Sequence, residues 1–200
     1  MTRLEQEYKW QVPCKAFFKL FRKAFCSGTD ISNIVRYSIT DKYFDDSSYT
    51  LSRAQSALRL RKSNKQYEFT LKTKGKSKNG LASRSELTLK IAAQTAQAAL
   101  KEFKKLALQN IKKIKDLHLL FTIKNKRQAL DIKTETFCAQ AVFDDCNICT
   151  PKKTIKLYEI ELEFCDGNFN DFKKFCKQVS ARTKVEPCAI SKVATAVANL

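Results

Sequence analysis

The chain has 200 residues, 44% of them hydrophobic, and its 38 Lys and Arg against 20 Asp and Glu give a formal charge of +18. That length and apolar content suit one domain, residues 1–200, with a sizeable core, and the pI near 9.6 calls for an anionic partner: nucleic acid, an anionic membrane surface or a phosphate-rich small molecule. No apolar run approaches the ~20 residues of a membrane span and no signal-peptide core opens the chain, so a leaderless cytoplasmic protein with its eight cysteines reduced is expected.

Residues 4–10 read as a strand. Leu4, Tyr8 and Trp10 share one face with Gln6, while Glu5, Glu7 and Lys9 fall on the other. Two carboxylates on one strand face repel each other unless a cation lies between them. A helix over 13–25 follows, with Pro13 in its first turn and Phe17, Phe18, Leu20, Phe21 and Phe25 as its apolar side. Residues 27–30 end it. Alternation resumes over 33–44, with Val35, Tyr37, Ile39 and Tyr43 in register, and residues 45–48 form a turn cluster.

Three basic strands come next. Arg59 and Arg61 alternate with Leu58 and Leu60; Lys72 sits opposite the apolar Tyr67, Phe69 and Leu71; Arg84 and Glu86 share a face over 83–89. A loop is expected over 76–80. Residues 94–108 carry a helical stripe of Ala96, Ala99, Leu100, Phe103 and Leu106, and 110–116 reads as a second short helix. Strand-like pieces occupy 119–124, 127–133 and 137–144. Over 158–164 the acidic pattern returns, with Glu159, Glu161 and Glu163 alternating with apolar residues. A helix over 168–180 and a short closing helix over 191–200 finish the chain. Cys146-Asn147-Ile148-Cys149 is a C-x-x-C flanked by Cys138 and Cys165, but no second C-x-x-C exists and the only His, His118, is well upstream. That spacing is incomplete for structural zinc, and small buried or loop thiols are the expected reading.

A solvent-facing strand usually mixes its polar residues. Here the outer strands of the series carry acids and the ones between carry Arg and Lys. About eight such strands, with three helical segments covering the apolar faces, can close into a barrel whose polar faces line the interior. An interior of that kind calls for a polyanion and cations, as a triphosphate with Mg²⁺ or Mn²⁺ would supply.

These residues, in this order, resemble the CYTH or triphosphate tunnel metalloenzyme superfamily, which includes class IV adenylyl cyclases, thiamine triphosphatases and inorganic triphosphatases. Glu5, Glu7 and Lys9 match its N-terminal Glu-x-Glu-x-Lys strand. Arg59 and Arg61 match its Leu-Arg-x-Arg strand, Lys72 its Thr-Leu-Lys strand, and Arg84 and Glu86 its Arg-x-Glu strand. Arg127 fits the Arg after the central helices, Asp144 the acid of the next strand, Glu159 and Glu161 the late Glu-x-Glu, and Ser191-Lys192 the C-terminal Ser-Lys. Two places depart: Thr88 stands where a further acid is frequent, and Asn125 where a Lys is expected, with Lys124 and Lys126 beside it as candidate substitutes on the opposite strand parity.

The resemblance implies an α+β fold, an eight-stranded antiparallel β-barrel forming a tunnel with helices packed outside. It implies a metal-dependent triphosphatase acting on tripolyphosphate or a nucleoside triphosphate in a basic tunnel. Glu5, Glu7, Glu86, Asp144, Glu159 and Glu161 would hold Mg²⁺ or Mn²⁺; Lys9, Arg59, Arg61, Lys72, Arg84, Arg127 and Lys192 would grip the phosphates. The alternatives are a class IV-type adenylyl cyclase or a thiamine triphosphatase, with Trp10, Tyr43, Phe44 and Tyr49 as stacking candidates at the tunnel mouth. A rival of another class is a non-catalytic binder of polyphosphate or nucleic acid using the surplus lysines. A small triphosphate, rather than nucleic acid or a membrane, is the expected partner, and a homodimer is allowed.

Overall fold

The computed structural model describes residues 2–26, 29–78, 80–112, 114, 116–188 and 190–200. Among them the elements run β1 (Thr2–Val12), α1 (Phe17–Phe25), β2 (Asp30–Ile31), β3 (Val35–Asp45), α2 (Thr50–Arg53), β4 (Ala57–Ser63), β5 (Gln66–Lys72), β6 (Lys76–Lys78) and β7 (Leu81–Ile91). Then come α3 (Ala96–Asn110), β8 (His118–Lys133), β9 (Phe137–Cys149), β10 (Thr154–Gly167), α4 (Phe169–Thr183) and α5 (Lys192–Val197). None of these helices is long and apolar enough to cross a membrane.

Eight strands close on themselves. All pairings are antiparallel, in the order β1-β10-β9-β8-β3-β4-β5-β7, and β7 returns to β1. β2 and β6 add short pairings to β8 and β7. Closure leaves every strand of the barrel with two partners, so no long edge is exposed to another chain.

Strand parity then decides what each residue faces. From β1, Tyr8, Trp10 and Val12 point outward into an apolar layer with Ile160 and Leu162 of β10, Phe143 of β9, and Leu130 and Ile132 of β8. α1 and α4 cover that layer with Phe18, Phe21, Phe25, Phe172, Phe175 and Val179. A second layer, of Leu58, Leu60, Tyr67, Phe69 and Ile91, lies under Ala99, Phe103 and Ala107 of α3. Asn168 caps α4 by accepting from the amides of Asn170 and Asp171, and Thr95 caps α3 by accepting from Ala98. Gly167 joins β10 to α4 at φ +97°, where a Cβ would come within 2.4 Å of the Thr136 carbonyl oxygen, so only glycine makes this turn.

α5 packs differently. Ala196, with Val193, Val197 and Leu200 beside it, lies against Tyr43, Phe121, Ile123, Cys146 and Ile148. Those strand residues share the inward parity of Asp41, Asn125 and Asp144, so the last helix fills one end of the barrel interior.

Several expectations change. The pieces over 119–124 and 127–133 are one strand, β8, and β9 continues five residues past 144 to Cys149. The apolar pattern of β8 breaks at Lys124 and Lys126 because both are exposed, whereas Leu130 and Ile132, with the same parity, lie beneath α1 and α4. No helix is found among the described residues of 110–116 beyond the end of α3. Ile111, Ile114 and Leu117 instead pack against the α3 layer. Part of the expected loop over 76–80 forms β6, and α2 follows the turn cluster. Of the expected helix end over 27–30, residues 27 and 28 lie outside the described residues. The C-x-x-C is divided by the sheet: Cys146 is fully buried on the inward parity and Cys149 takes the opposite one. None of the eight cysteines is in a disulfide.

Trp10 anchors β1 from outside. It is fully buried, its ring lies 5.3 Å from Phe21, and its indole N–H donates to Ser180 Oγ at 2.9 Å. A one-residue slip of β1 would expose it and turn Glu5, Glu7 and Lys9 into the apolar layer. Trp10→Ala is expected to cost about 3–5 kcal/mol in urea unfolding; a loss under about 1 kcal/mol would contradict this anchoring role.

Candidate active site

The inward residues enclose a cavity of about 510 Å³, within the range of small-ligand sites. Glu5, Glu7 and Lys9 reach it from β1; Arg59 and Arg61 from β4; Glu68 and Lys72 from β5; Arg84, Glu86 and Thr88 from β7. Asn125 and Arg127 of β8, Glu159, Glu161 and Glu163 of β10, and Lys192 of α5 complete the charged wall. Asp144 stands directly behind, fully buried, held by Arg127 and Lys192.

The register pairs opposite charges across neighbouring strands. Asp41 lies opposite Arg61, Lys72 opposite Glu86, Glu5 opposite Arg84, Lys9 opposite Glu161 and Arg127 opposite Asp144. Arg61 forks onto Asp41 with bonds of 2.7 and 2.8 Å, and Arg127 onto Asp144 with 2.7 and 2.6 Å. Lys72 Nζ donates to Glu5 at 2.8 Å and lies 2.9 Å from Glu86; Lys9 lies 2.7 Å from Glu7. Seven cationic and eight acidic side chains line the cavity. The expected basic tunnel is therefore internally balanced, and the chain's net +18 does not reside there.

Three carboxylates gather on one wall. Ligand oxygens of Asp144, Glu159 and Glu161 lie within 4.8 Å of one another. Lys192 Nζ sits among them, 2.9 Å from Asp144 and 2.9 Å from Glu161, and also donates to Glu159. Burial raises the Glu159 carboxyl to about 7, and Glu161 adds to this against the pull of Lys192. Burial opposes ionisation of Asp144 too, but Arg127 and Lys192 bring it down to about 2. Burial likewise works against the Lys192 charge, yet Asp144, Glu159 and Glu161 hold its pKa well above the usual lysine range.

The donor set fits a hard divalent cation: all oxygen, anionic and convergent. An ammonium already stands in for a cation there, and Glu159 Oε2 is buried with no hydrogen-bond partner. Of the six acids expected as ligands, these three converge. Glu5 and Glu86 instead share Lys72, and Glu7 stands between, beside Lys9, which lies 3.9 Å from Glu161.

All seven expected phosphate-gripping residues line the cavity. Sequence reasoning missed Asp41, whose buried carboxylate faces both Arg59 and Arg61. The signal was one charged residue on the otherwise apolar parity of Ile39 and Tyr43. Glu68, Glu163 and Ser191 were also missed as lining residues. At the two departures, Thr88 Oγ1 bonds Glu86 at 2.8 Å, and Asn125 is buried in the wall with its Oδ1 unpartnered. Lys124 and Lys126 point to solvent and do not replace the absent lysine. Among the aromatic candidates, Tyr43 lines the cavity; Trp10 and Phe44 are sealed in the outer layers, and Tyr49 is 42% exposed at the start of α2.

The family model for the CYTH domain matches residues 3–197. The chain belongs to the CYTH family. Similar solved structures include the Hippeastrum protein HpAC1, named as an adenylyl cyclase and described as having a dominant triphosphatase activity. It is 18% identical, with 98% of this chain and 96% of that one covered, at a TM-score of 0.67. A protein from Bacillus halodurans assigned as an adenylate cyclase is 20% identical over 96% of this chain and 95% of its own, at 0.65. The RNA triphosphatase domain of the mimivirus mRNA capping enzyme is 10% identical over 90% and 89%, at 0.54. At such identities the likeness carries the fold. No curated protein matches the chain.

Burial opposes the Asp41 charge, but Arg59 and Arg61 hold its carboxyl below the ordinary carboxylate range. The stability it contributes is therefore present at neutral pH and is lost as pH falls below about 4. Asp41→Asn should destabilise the CYTH barrel by about 3 kcal/mol at pH 7, with the gap narrowing as the wild-type carboxylate protonates. Denaturant titrations across pH 3–7 check this; a pH-independent gap would contradict it.

Proposed function

We propose that this CYTH protein is a metal-dependent triphosphatase that hydrolyses tripolyphosphate or a nucleoside triphosphate within the barrel. The observation that carries the reading is the enclosed wall on which Asp144, Glu159 and Glu161 converge beside a ring of Arg and Lys side chains. Asp144, Glu159, Glu7, Lys9 and Arg59 are buried, so charge interactions among them are less screened than at a surface.

Asp144, Glu159 and Glu161 would hold Mg²⁺ or Mn²⁺, with Glu7 near enough to share the site's charge. When bound, such an ion supplies Lewis-acid polarisation of a phosphoryl oxygen. The chain's own groups do the gripping. Arg59, Arg61, Lys72, Arg84 and Arg127 offer donors that now bond Asp41, Glu5, Glu7, Glu86 and Asp144, or lie close to them. A phosphate chain would take those donors over, and the guanidinium forks suit paired phosphate oxygens. Arg59 Nε is buried and unpartnered, so one donor is free to act without breaking a pair. Lys9 reaches inward from the acidic strand as a further point charge. Positioning and charge stabilisation would provide most of the acceleration.

The test is a panel of tripolyphosphate, ATP, GTP and thiamine triphosphate with Mg²⁺ or Mn²⁺, reading free phosphate and cyclic nucleotide together. Phosphate release that stops in EDTA is expected. Cyclic nucleotide without phosphate would favour a cyclase, and salt-sensitive polyanion binding with no turnover a binding module. Glu7→Gln should retain the circular dichroism of the wild type and lose turnover about 10²–10³-fold; wild-type rates in that variant would remove Glu7 from the site.

A further inference from the structure

We propose that Lys192 is the resident counter-ion of the acid trio, so that a divalent cation enters Asp144, Glu159 and Glu161 only as the Lys192 ammonium leaves. This rests on the reading that those three acids bind the metal. The ammonium bonds all three carboxylates from the position where a shared ion would stand. A divalent ion would take the same oxygens at about 2.0–2.6 Å, which would place two cations only a few ångströms apart inside an enclosed wall. Their repulsion there is far larger than in water. One must yield.

The chain is arranged so that Lys192 can move. It is the first residue of α5, and Ser191 caps that helix by accepting from the Ala194 amide at 3.1 Å. Upstream, the Cys188 amide donates to the Lys9 carbonyl at 2.7 Å, and Gln11 Nε2 donates to the Ile190 carbonyl at 3.2 Å. The segment leading into α5 is therefore clipped to β1, while Ala196 and its apolar neighbours hold the far end among Tyr43, Phe121 and Ile123. At the helix start Lys192 makes the ionic tie to the acidic wall, beside the apolar contact of Val193. Lys192 also lines the cavity, so a displaced ammonium remains beside the space a phosphate chain would fill. One side chain thus serves two partners in turn: the acids when the metal is absent, and phosphate oxygens when it is present. Metal loading then loosens the start of α5, and the protein's own lysine sets how tightly the metal binds.

The experiment measures Mn²⁺ binding directly, by electron paramagnetic resonance of the free ion, in wild type, Lys192→Met and Lys192→Arg, without substrate. Removing the competitor should tighten Mn²⁺ binding about tenfold or more, since an occupied site binds in proportion to the fraction that is open. Lys192→Arg should stay close to wild type. In the wild-type protein, Mn²⁺ should speed amide hydrogen exchange across α5, a readout that requires no variant to fold. Equal or weaker Mn²⁺ binding by a folded Lys192→Met, or α5 exchange unchanged by Mn²⁺, overturns the inference while leaving the metal site standing. If wild type and Lys192→Met both fail to bind Mn²⁺, the metal-site reading falls and takes the inference with it.

Discussion

The structure depends on charge neutralisation inside a closed barrel. Fully or nearly buried carboxylates and guanidinium groups are costly to remove from water. Several survive here because the next strand presents the opposite charge, while Glu7 is held by Lys9 of its own strand and Glu159 by Lys192 of α5. The pairs Asp41–Arg61, Glu86–Lys72 and Asp144–Arg127 are cross-strand neighbours. The register that closes the barrel is thus the same register that pairs the charges. Such a wall adds little net stability over an apolar one. What it provides is a set of donors and acceptors that can exchange partners without leaving an ion bare.

That exchange links the fold to its chemistry. A triphosphate entering alone would meet donors mostly engaged by carboxylates, and would add negative charge to a cavity whose cations are already matched by its acids. A divalent ion entering alone would meet an ammonium in its place. Together, anion and cation each relieve the group the other displaces. The apolar layers under α1, α4 and α3 hold the outward half of the same strands, and would keep the wall fixed during such an exchange. Rigid strands and exchangeable ion pairs are a suitable combination for preorganised electrostatics.

The alternation of the strands was legible because period two survives in every strand that has one wet and one dry face. Tyr8 and Trp10 against Glu7 and Lys9 is enough to orient β1, and the ordered motifs placed all seven cations in the cavity. The misses have physical causes. Asp41 hid among Val35, Tyr37, Ile39 and Tyr43 because the inward face turns apolar near α5, where Tyr43 and Phe121 stack. β8 looked broken at Lys124 and Lys126 because the helices cover only part of its outer face. Ile111 and Ile114 are spaced as on a helix face, yet both pack against the α3 layer without helical structure at either residue. Lys192 could be placed at the site by motif, but its position among three acids brought together from β9 and β10 depends on contacts that no local pattern encodes.

The most direct measurement of the central claim is calorimetric binding of tripolyphosphate in EDTA and in saturating Mg²⁺, using a variant too slow to turn over, such as Glu7→Gln. Partner exchange predicts strong positive coupling: weak binding without metal, and binding tighter by at least about tenfold with it. Equal affinity in both conditions would show that the phosphate chain needs no cation to release the basic side chains, and would contradict the internally neutralised wall as the basis of the site.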